Sequence, residues 1–432
     1  MRGAKGRQPE VHLNLSVRGM MPSATLAIQE RCRELTAAGM RVFRLGIGQS
    51  PFPVPRVVVE ELQANAHQKD YLPVAGLPAL REAVAGYHRR TQSLPCDAMD
   101  VLVGPGSKEL MFLLQLCYYG DIVIPTPAWV SYAPQAHIIG RRIQWLPTLR
   151  EDGWRLRPQS LERLCRREPE RPRIVVLNYP ANPTGGSYTL DELKELAQIA
   201  RRFRVVLLAD EIYGEIHHKG QHVSIARFYP EGTIVSSGLS KWCGAGGWRL
   251  GTFAFPRSMS WLREAMAAVA SETFTSTSAP IQYAAIRAFH GGLAIEHYLW
   301  HSRRLLGALG RSCARRLMDA GAYVVKPAGG FYLFPDFEAF RERLEERGIR
   351  DAPTLCKRLL QETGVAILPG TDFGRGAEEL TARIAYVDFD GARTLAALEL
   401  HGHEATIDEA FLRQHCAAVL EAMDLLVDWL TA

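Results

Sequence analysis

Cysteine is sparse in this chain of 432 residues, and the eight present stand singly at positions 32, 96, 117, 165, 243, 313, 356 and 416. With no CxxC pair and no short ladder of spacings, a cysteine-built metal site or a disulfide framework is not expected, and a reducing compartment fits better. No apolar run reaches membrane-spanning length, and the basic start "MRGAKGRQPEVHLNLSVRG" has no apolar stretch of the kind a secretory leader carries. The expectation is a cytoplasmic protein without a membrane partner. Nor does charge of one sign predominate: 51 basic residues face 46 acidic ones, for a net +5, too even for a dedicated nucleic-acid surface. Basic pairs such as Arg141-Arg142 and Arg201-Arg202 read as solvated ends of helices or strands. Internal repeats and low-complexity tracts are missing too, which excludes a solenoid.

What is there is an ordinary globular composition, 47% hydrophobic and 22% charged, over a length that suits a large α/β domain with a smaller companion. A helical period over "PSATLAIQERCRELTAAG" (22 to 39) gives way to a short strand and a Pro-rich loop, "RVFRLGIGQSPFPVP" (41 to 55). Strand and helix then alternate through "DVLVGPGSKELMFLLQLCYY", "DIVIPTPAWVSYAPQAHI", "RIVVLNYPANPTGG", "TLDELKELAQIARRF" and "RVVLLAD". Such alternation predicts a mostly parallel sheet between helices. After about residue 290 the pattern changes. A long helix, short strands at "YVVKP", "GFYLFPDF", "VAILPG" and "TARIAYVDF", and one closing helix, "DEAFLRQHCAAVLEAMDLLVDWL", predict a smaller α+β unit. The division is 1–55 as a segment packing with the small domain, 56–295 as the large domain and 296–432 as the small one.

Four strand ends in the large domain carry polar groups: "GPGSKE", "NYPANPTGG", "ADEIYG" and "SSGLSKWCGAGGWRLG". Alone, each has a structural explanation, since glycines make turns, Asn-Pro initiates them and an aspartate caps a following helix. Together they fall where an open α/β sheet gathers ligands, outside the carboxyl ends of its strands. Lys241 sits among small residues with other cations near in sequence, surroundings that ease deprotonation of an amine. Eight residues on, Arg249 offers a fork suited to phosphate.

The order and spacing of these motifs resemble the class I/II aminotransferase family, pyridoxal 5'-phosphate (PLP) enzymes of fold type I that include the aspartate aminotransferases. The resemblance runs from "PSAT" to "RIAYVDFDG". It implies a seven-stranded-type sheet and a Lys241 that bonds covalently to the cofactor aldehyde. Arg249, Ser240 and the backbone N–H groups of Gly106, Ser107 and Lys108 would hold the phosphate. Asp210 would keep the pyridine nitrogen protonated, Tyr213 and Asn182 would donate to the ring's phenolic oxygen, and Trp129 would stack on the ring. Arg383, with a backbone donor at Gly48, would take the substrate α-carboxylate. Tyr71 matches a tyrosine reaching the phosphate of a neighbouring subunit, implying a homodimer with shared active sites. The implied reaction is ping-pong transamination between an L-amino acid and a 2-oxo acid.

The chain departs from some relatives in having Gly238 where a serine precedes the lysine by three, so one phosphate hydroxyl is missing or comes from Ser237. Thr25 and Lys108 resemble positions that bind a distal carboxylate in one bacterial branch, which would make the substrate acidic; Lys108 equally fits a surface lysine in a helix's first turn. The same motifs serve enzymes that eliminate or replace a β or γ substituent, aminocyclopropane-carboxylate synthases on S-adenosylmethionine among them. They also serve amino-acid oxidases, and an inactive regulatory homologue is a third reading. "HGHE" (401 to 404) and His217-His218 read as polar turns; no metal site is assigned.

Overall fold

The computed structural model describes residues 12–402 and 405–432; the first eleven residues, and His403 and Glu404 of "HGHE", lie outside them. In chain order the strands are β1 (Phe43–Arg44), β2 (Val101–Gly104), β3 (Asp121–Thr126), β4 (Ile143–Pro147), β5 (Arg173–Asn178), β6 (Val206–Asp210), β7 (Thr233–Gly238), β8 (Gly251–Ala254), β9 (Tyr332–Leu333), β10 (Val365–Ala366), β11 (Leu368–Pro369) and β12 (Ala382–Ala385).

Seven of them make one sheet in the order β2-β8-β7-β6-β5-β3-β4, in which β8 alone runs against its neighbours β2 and β7. Its central strands β5, β6 and β7 are buried at every position but Asn178 because both faces are covered. Ile174 and Val176 of β5 share a core with the helices Ser107–Cys117 and Ser260–Ser271. The intervening Val175 and Leu177 pack with Pro158–Arg167 and Leu190–Arg202 on the opposite side. The start of Leu190–Arg202 is fixed by a capping box: Thr189 accepts from the Glu192 backbone and Glu192 reaches back to the Thr189 N–H. Arg201 and Arg202 complement the dipole at its end. Both arginines also form ion pairs, with Glu231 and Glu162.

A three-stranded antiparallel sheet, β11-β12-β9, forms a second unit. Leading into it is the helix Leu293–Ala320, about 42 Å long at 1.5 Å per residue. β1 pairs in parallel with β10, Phe43 opposite Val365, so the segment after helix Ala24–Ala37 is tied to the C-terminal part of the chain. No helix among the described residues is long and apolar enough to cross a membrane.

Two expectations are corrected here. "YVVKP" forms no strand, only an isolated bridge between Tyr323 and Asp336; Pro327 at its end has no N–H to extend a ladder. The closing helix is two helices, Glu409–His415 and Ala417–Thr431, broken at Cys416. Phe411, Leu412, Cys416, Val419, Leu420 and Met423 are all buried, and because this helical period runs straight through the break, the sequence reads as continuous.

Gly251 of β8 backs onto the start of helix Ser107–Cys117, where an added Cβ would stand 2.2 Å from the Ser107 nitrogen. Gly251→Ala is therefore expected to lower stability by about 1–3 kcal/mol, read as a reduced urea midpoint.

Candidate active site

A cavity of about 550 Å³ opens beyond the carboxyl ends of the parallel strands. β6 delivers Asp210 to it and β5 delivers Asn178, while the turn after β2 contributes Ser107 and Lys108. Ser240 and Lys241 follow β7, and Arg249 precedes β8. The far wall comes from the second unit and the N-terminal segment: Tyr332 of β9, Arg383 of β12, Gly48 after β1, and Thr25 in the helix Ala24–Ala37. Trp129, Asn182 and Tyr213 complete the lining among the residues singled out in the sequence.

Lys241 Nζ donates to the Gly48 carbonyl at 2.7 Å and lies 5.7 Å from the Tyr213 ring centre. Burial, then the Arg383 guanidinium, pull its pKa down to about 8, with Asp210 opposing. Gly48 was expected to present its N–H; here its carbonyl is engaged, by Lys241 and, at 3.5 Å, by the Tyr332 hydroxyl. Asp210 is 3% exposed and accepts from Tyr132 Oη at 2.5 Å and Ser236 Oγ at 3.4 Å. Burial raises its pKa to about 6 in spite of those donors. Tyr213 Oη and Tyr332 Oη share a hydrogen bond of 2.9 Å.

Arg383 is the most unusual group of the cavity. It is 1% exposed, yet it makes no ion pair among the described residues: Nη1 donates to Asn182 Oδ1 at 3.1 Å, Nη2 to the Gly46 carbonyl at 2.6 Å, and Nε has no partner. Its guanidinium carbon lies 4.8 Å from the Tyr332 ring centre and 5.0 Å from that of Phe373. A buried cation without a counter-ion is costly, and burial lowers its pKa.

At the other end of the cavity, Gly106 caps helix Ser107–Cys117 with φ 90°, a conformation only glycine adopts readily. A Cβ there would stand 2.3 Å from Arg249 Nη2, so the guanidinium lies directly against the helix start, where free N–H groups and the helix dipole favour an anion. Arg249 itself is held at φ 55°, ψ 55°, a strained setting for a side-chain-bearing residue and one met at functional sites. Lys108 Nζ lies 5.2 Å from the Trp129 ring centre; burial, then Arg249, lower its pKa. It is exposed and borders the cavity.

Two of the expected residues lie elsewhere. Tyr71 is 90% exposed and outside the cavity. Ser237 is buried in β7 opposite Thr252 and does not line the site, leaving Ser240 as the hydroxyl after β7. His217 and His218 lie in a turn bridged to Gly329, and the His218 ring meets the Pro327 and Gly330 carbonyls. Sequence reasoning missed Tyr132, Tyr332 and Asn178. Tyr132 had a signal, three positions after Trp129 in "PAWVSY"; Tyr332 lies in the strand expected at "GFYLFPDF", but no local motif marks it as a site residue.

The sheet with its reversed β8, the second unit and the cavity between them define fold type I of the PLP-dependent enzymes. Residues 41–396 match the family described as "Aminotransferase class I and II", and the chain belongs to that family. It is 34% identical over 369 residues to an aspartate aminotransferase of Geobacillus stearothermophilus, across 83% of this chain and 91% of that protein. To the aspartate/prephenate aminotransferase of Thermus thermophilus it is 32% identical, across 84% and 91%. The solved structure of Thermus thermophilus aspartate aminotransferase with maleate superposes with a TM-score of 0.82 at 27% identity, covering 97% of this chain and 100% of that one. The protein is thus a PLP-dependent transferase. The groups in the cavity fit that cofactor: an amine easy to deprotonate, a buried carboxylate and a guanidinium against a helix start.

Asp210 binds its proton more tightly folded than unfolded, so its own contribution to the stability of the cofactor-free protein is lost as pH rises from about 4 to about 6. The loss approaches about 3 kcal/mol. Cofactor-free Asp210→Asn is expected to melt above cofactor-free wild type at pH 8, with the gap closing by pH 4, in parallel thermal scans.

Proposed function

We propose that the protein transaminates a dicarboxylic L-amino acid, with Lys241 as the residue that bonds the cofactor aldehyde and moves the proton. The observation that carries this reading is Arg383, a buried guanidinium with no counter-ion, on the wall of the cavity that Lys241 also lines. It suits a substrate α-carboxylate, gripped in a fork beside Asn182. Lys108 and Thr25 line the same cavity, and we assign them to a second, distal carboxylate. The names of the relatives, aspartate and aspartate/prephenate aminotransferases, support an acidic substrate.

Arg249, Ser240 and the N–H groups of Gly106, Ser107 and Lys108 would hold the phosphate, and Trp129 would cover one face of the ring. Asp210 would sit at the pyridine nitrogen, whose positive charge offsets the penalty of burying the carboxylate. Tyr213 and Asn182 would donate to the phenolic oxygen. Bound there, PLP supplies an electron sink for the electrons left when the substrate Cα–H bond breaks. Displaced from the cofactor aldehyde carbon by the substrate amine, Lys241, with a pKa near 8, would be a free amine whose Nζ accepts the Cα proton as general base and passes it on to that aldehyde carbon as acid.

Tyr71, exposed and outside its own cavity, is assigned to the phosphate of a second copy in a homodimer. We place that dimer in the cytoplasm, and divide the chain at about residues 55 and 295.

Borohydride should fix the cofactor to wild type and not to Lys241→Ala; a reduced adduct in the variant would refute the lysine assignment. Arg383→Ala is expected to lower kcat/KM for every amino acid by a few hundredfold, about 3 kcal/mol. Lys108→Ala should raise KM about tenfold for aspartate alone, about 1.4 kcal/mol, and leave alanine within twofold. Equal effects on aspartate and alanine would remove the distal-carboxylate role, and release of ammonia without a 2-oxo acid acceptor would remove transamination.

A further inference from the structure

β5 and β6 pair in parallel with Asn178 opposite Asp210, and both of these side chains line the cavity. The next residue on each chain, Tyr179 and Glu211, turns to the other side, as alternation along a strand requires. Both are buried, at 1% and 7% exposure, and neither borders the cavity. Tyr179 Oη donates to Glu211 Oε1 at 3.1 Å and accepts from the Ile225 N–H at 2.7 Å. The other carboxylate oxygen, Oε2, is 3.0 Å from His222 Nε2, and the segment of His222 is anchored in turn by Gln92, through the His222 carbonyl and the Ser224 N–H. Glu211 is thereby tied to two loops at once, and one of them is the loop that starts at Asn178.

That loop reaches the substrate end of the cavity through Asn178 and Asn182. Asn178 Nδ2 donates to the Asp210 carbonyl at 2.8 Å, and Asn178 Oδ1 accepts from the Asn182 N–H at 2.7 Å. Asn182 Oδ1 then receives Arg383 Nη1. The guanidinium also donates to the Gly46 carbonyl and lies against two ring faces, so the place of the Asn178–Asn182 turn bears on its angle.

We infer that Glu211 is a positioning residue that, through its hydrogen bond from Tyr179, fixes the turn carrying Asn182 and so aims Arg383 at the substrate carboxylate. This rests on the carboxylate role proposed for Arg383. A buried Glu211–His222 contact that served stability alone would leave ligand affinity untouched; the positioning role ties affinity to Tyr179.

The test is a double-mutant cycle on the holoenzyme, titrated calorimetrically with maleate, with the melting temperature and kcat recorded alongside. Glu211→Ala and Tyr179→Phe are each expected to raise the maleate Kd about tenfold and to leave kcat within threefold. Their combination should weaken binding no more than either alone, because both break one link. Glu211→Gln should bind within twofold of wild type, since its amide oxygen still accepts from Tyr179. An unchanged Kd in Tyr179→Phe, additive losses in the double variant, or a Glu211→Gln as weak as Glu211→Ala would each overturn the inference. If Glu211→Ala does not fold, Tyr179→Phe and Glu211→Gln decide the question on their own. Arg383→Ala separates the two claims. If it binds maleate as wild type does, the carboxylate role itself fails; if it loses maleate while Tyr179→Phe does not, only the positioning role fails.

Discussion

Bringing Lys241 and Arg383 into one water-poor space is the constraint on which the rest of this structure depends. Burial depresses the charged form of both, and Arg383 depresses that of Lys241 further. Asp372 acts on Arg383 only from a distance, without an ion pair, and the fold holds the guanidinium with carbonyl and amide oxygens at Gly46 and Asn182. Lys241 is likewise held by a carbonyl, that of Gly48. These are partial charges, strong enough to orient a cation and too weak to satisfy it. The site is consequently set for anions before any arrives, and an enzyme that must bind a carboxylate and a phosphate uses that preorganisation directly.

The same constraint explains why the site is drawn from so many parts of the chain. Strand ends of one sheet bring Asp210, Asn178 and Lys241 to one rim, but a wall facing them needs a second unit. β1 and β10 serve that end: their pairing ties the segment bearing Gly46 and Gly48 to the C-terminal part of the chain, from which β12 carries Arg383. Asp210 shows the opposite electrostatic sign under the same rule. Buried and short of a formal cation, its carboxyl holds its proton up to about pH 6, and a positively charged ring nitrogen would relieve it.

Much of this was legible in the sequence because each motif is local to one strand end. "GPGSKE", "NYPANPTGG", "ADEIYG" and the lysine stretch each place their polar groups at the end of a strand or within four residues of it, and the alternation of strand and helix identified the sheet. What escaped were relations between distant residues. Tyr132 reaches Asp210 from a different strand's loop, Tyr332 meets Tyr213 from the other unit, and the Gly48 carbonyl accepts from Lys241. The break at Cys416 was hidden because burial follows the same period on both sides of it. Lys108 can be read two ways from sequence, and the structure adds its place beside Trp129 at the rim of the cavity.

The reversed strand β8 has a consequence for how the molecule is made. It lies between β2 and β7 and sets Gly251 opposite Gly104, about 150 positions earlier in the chain. Until it is inserted, β2 has no neighbour in the sheet, and the helix start at Ser107 has no guanidinium beside it. On a ribosome, where a chain emerges from its N-terminus at several residues per second, the Gly106 end of the cavity must therefore wait for Arg249. Contacts so far apart in sequence are slow to close. The strand whose closure completes the seven-stranded sheet thus also brings Arg249 to the helix start, so a nascent chain gains this end of the cavity in the same event that gives β2 its neighbour.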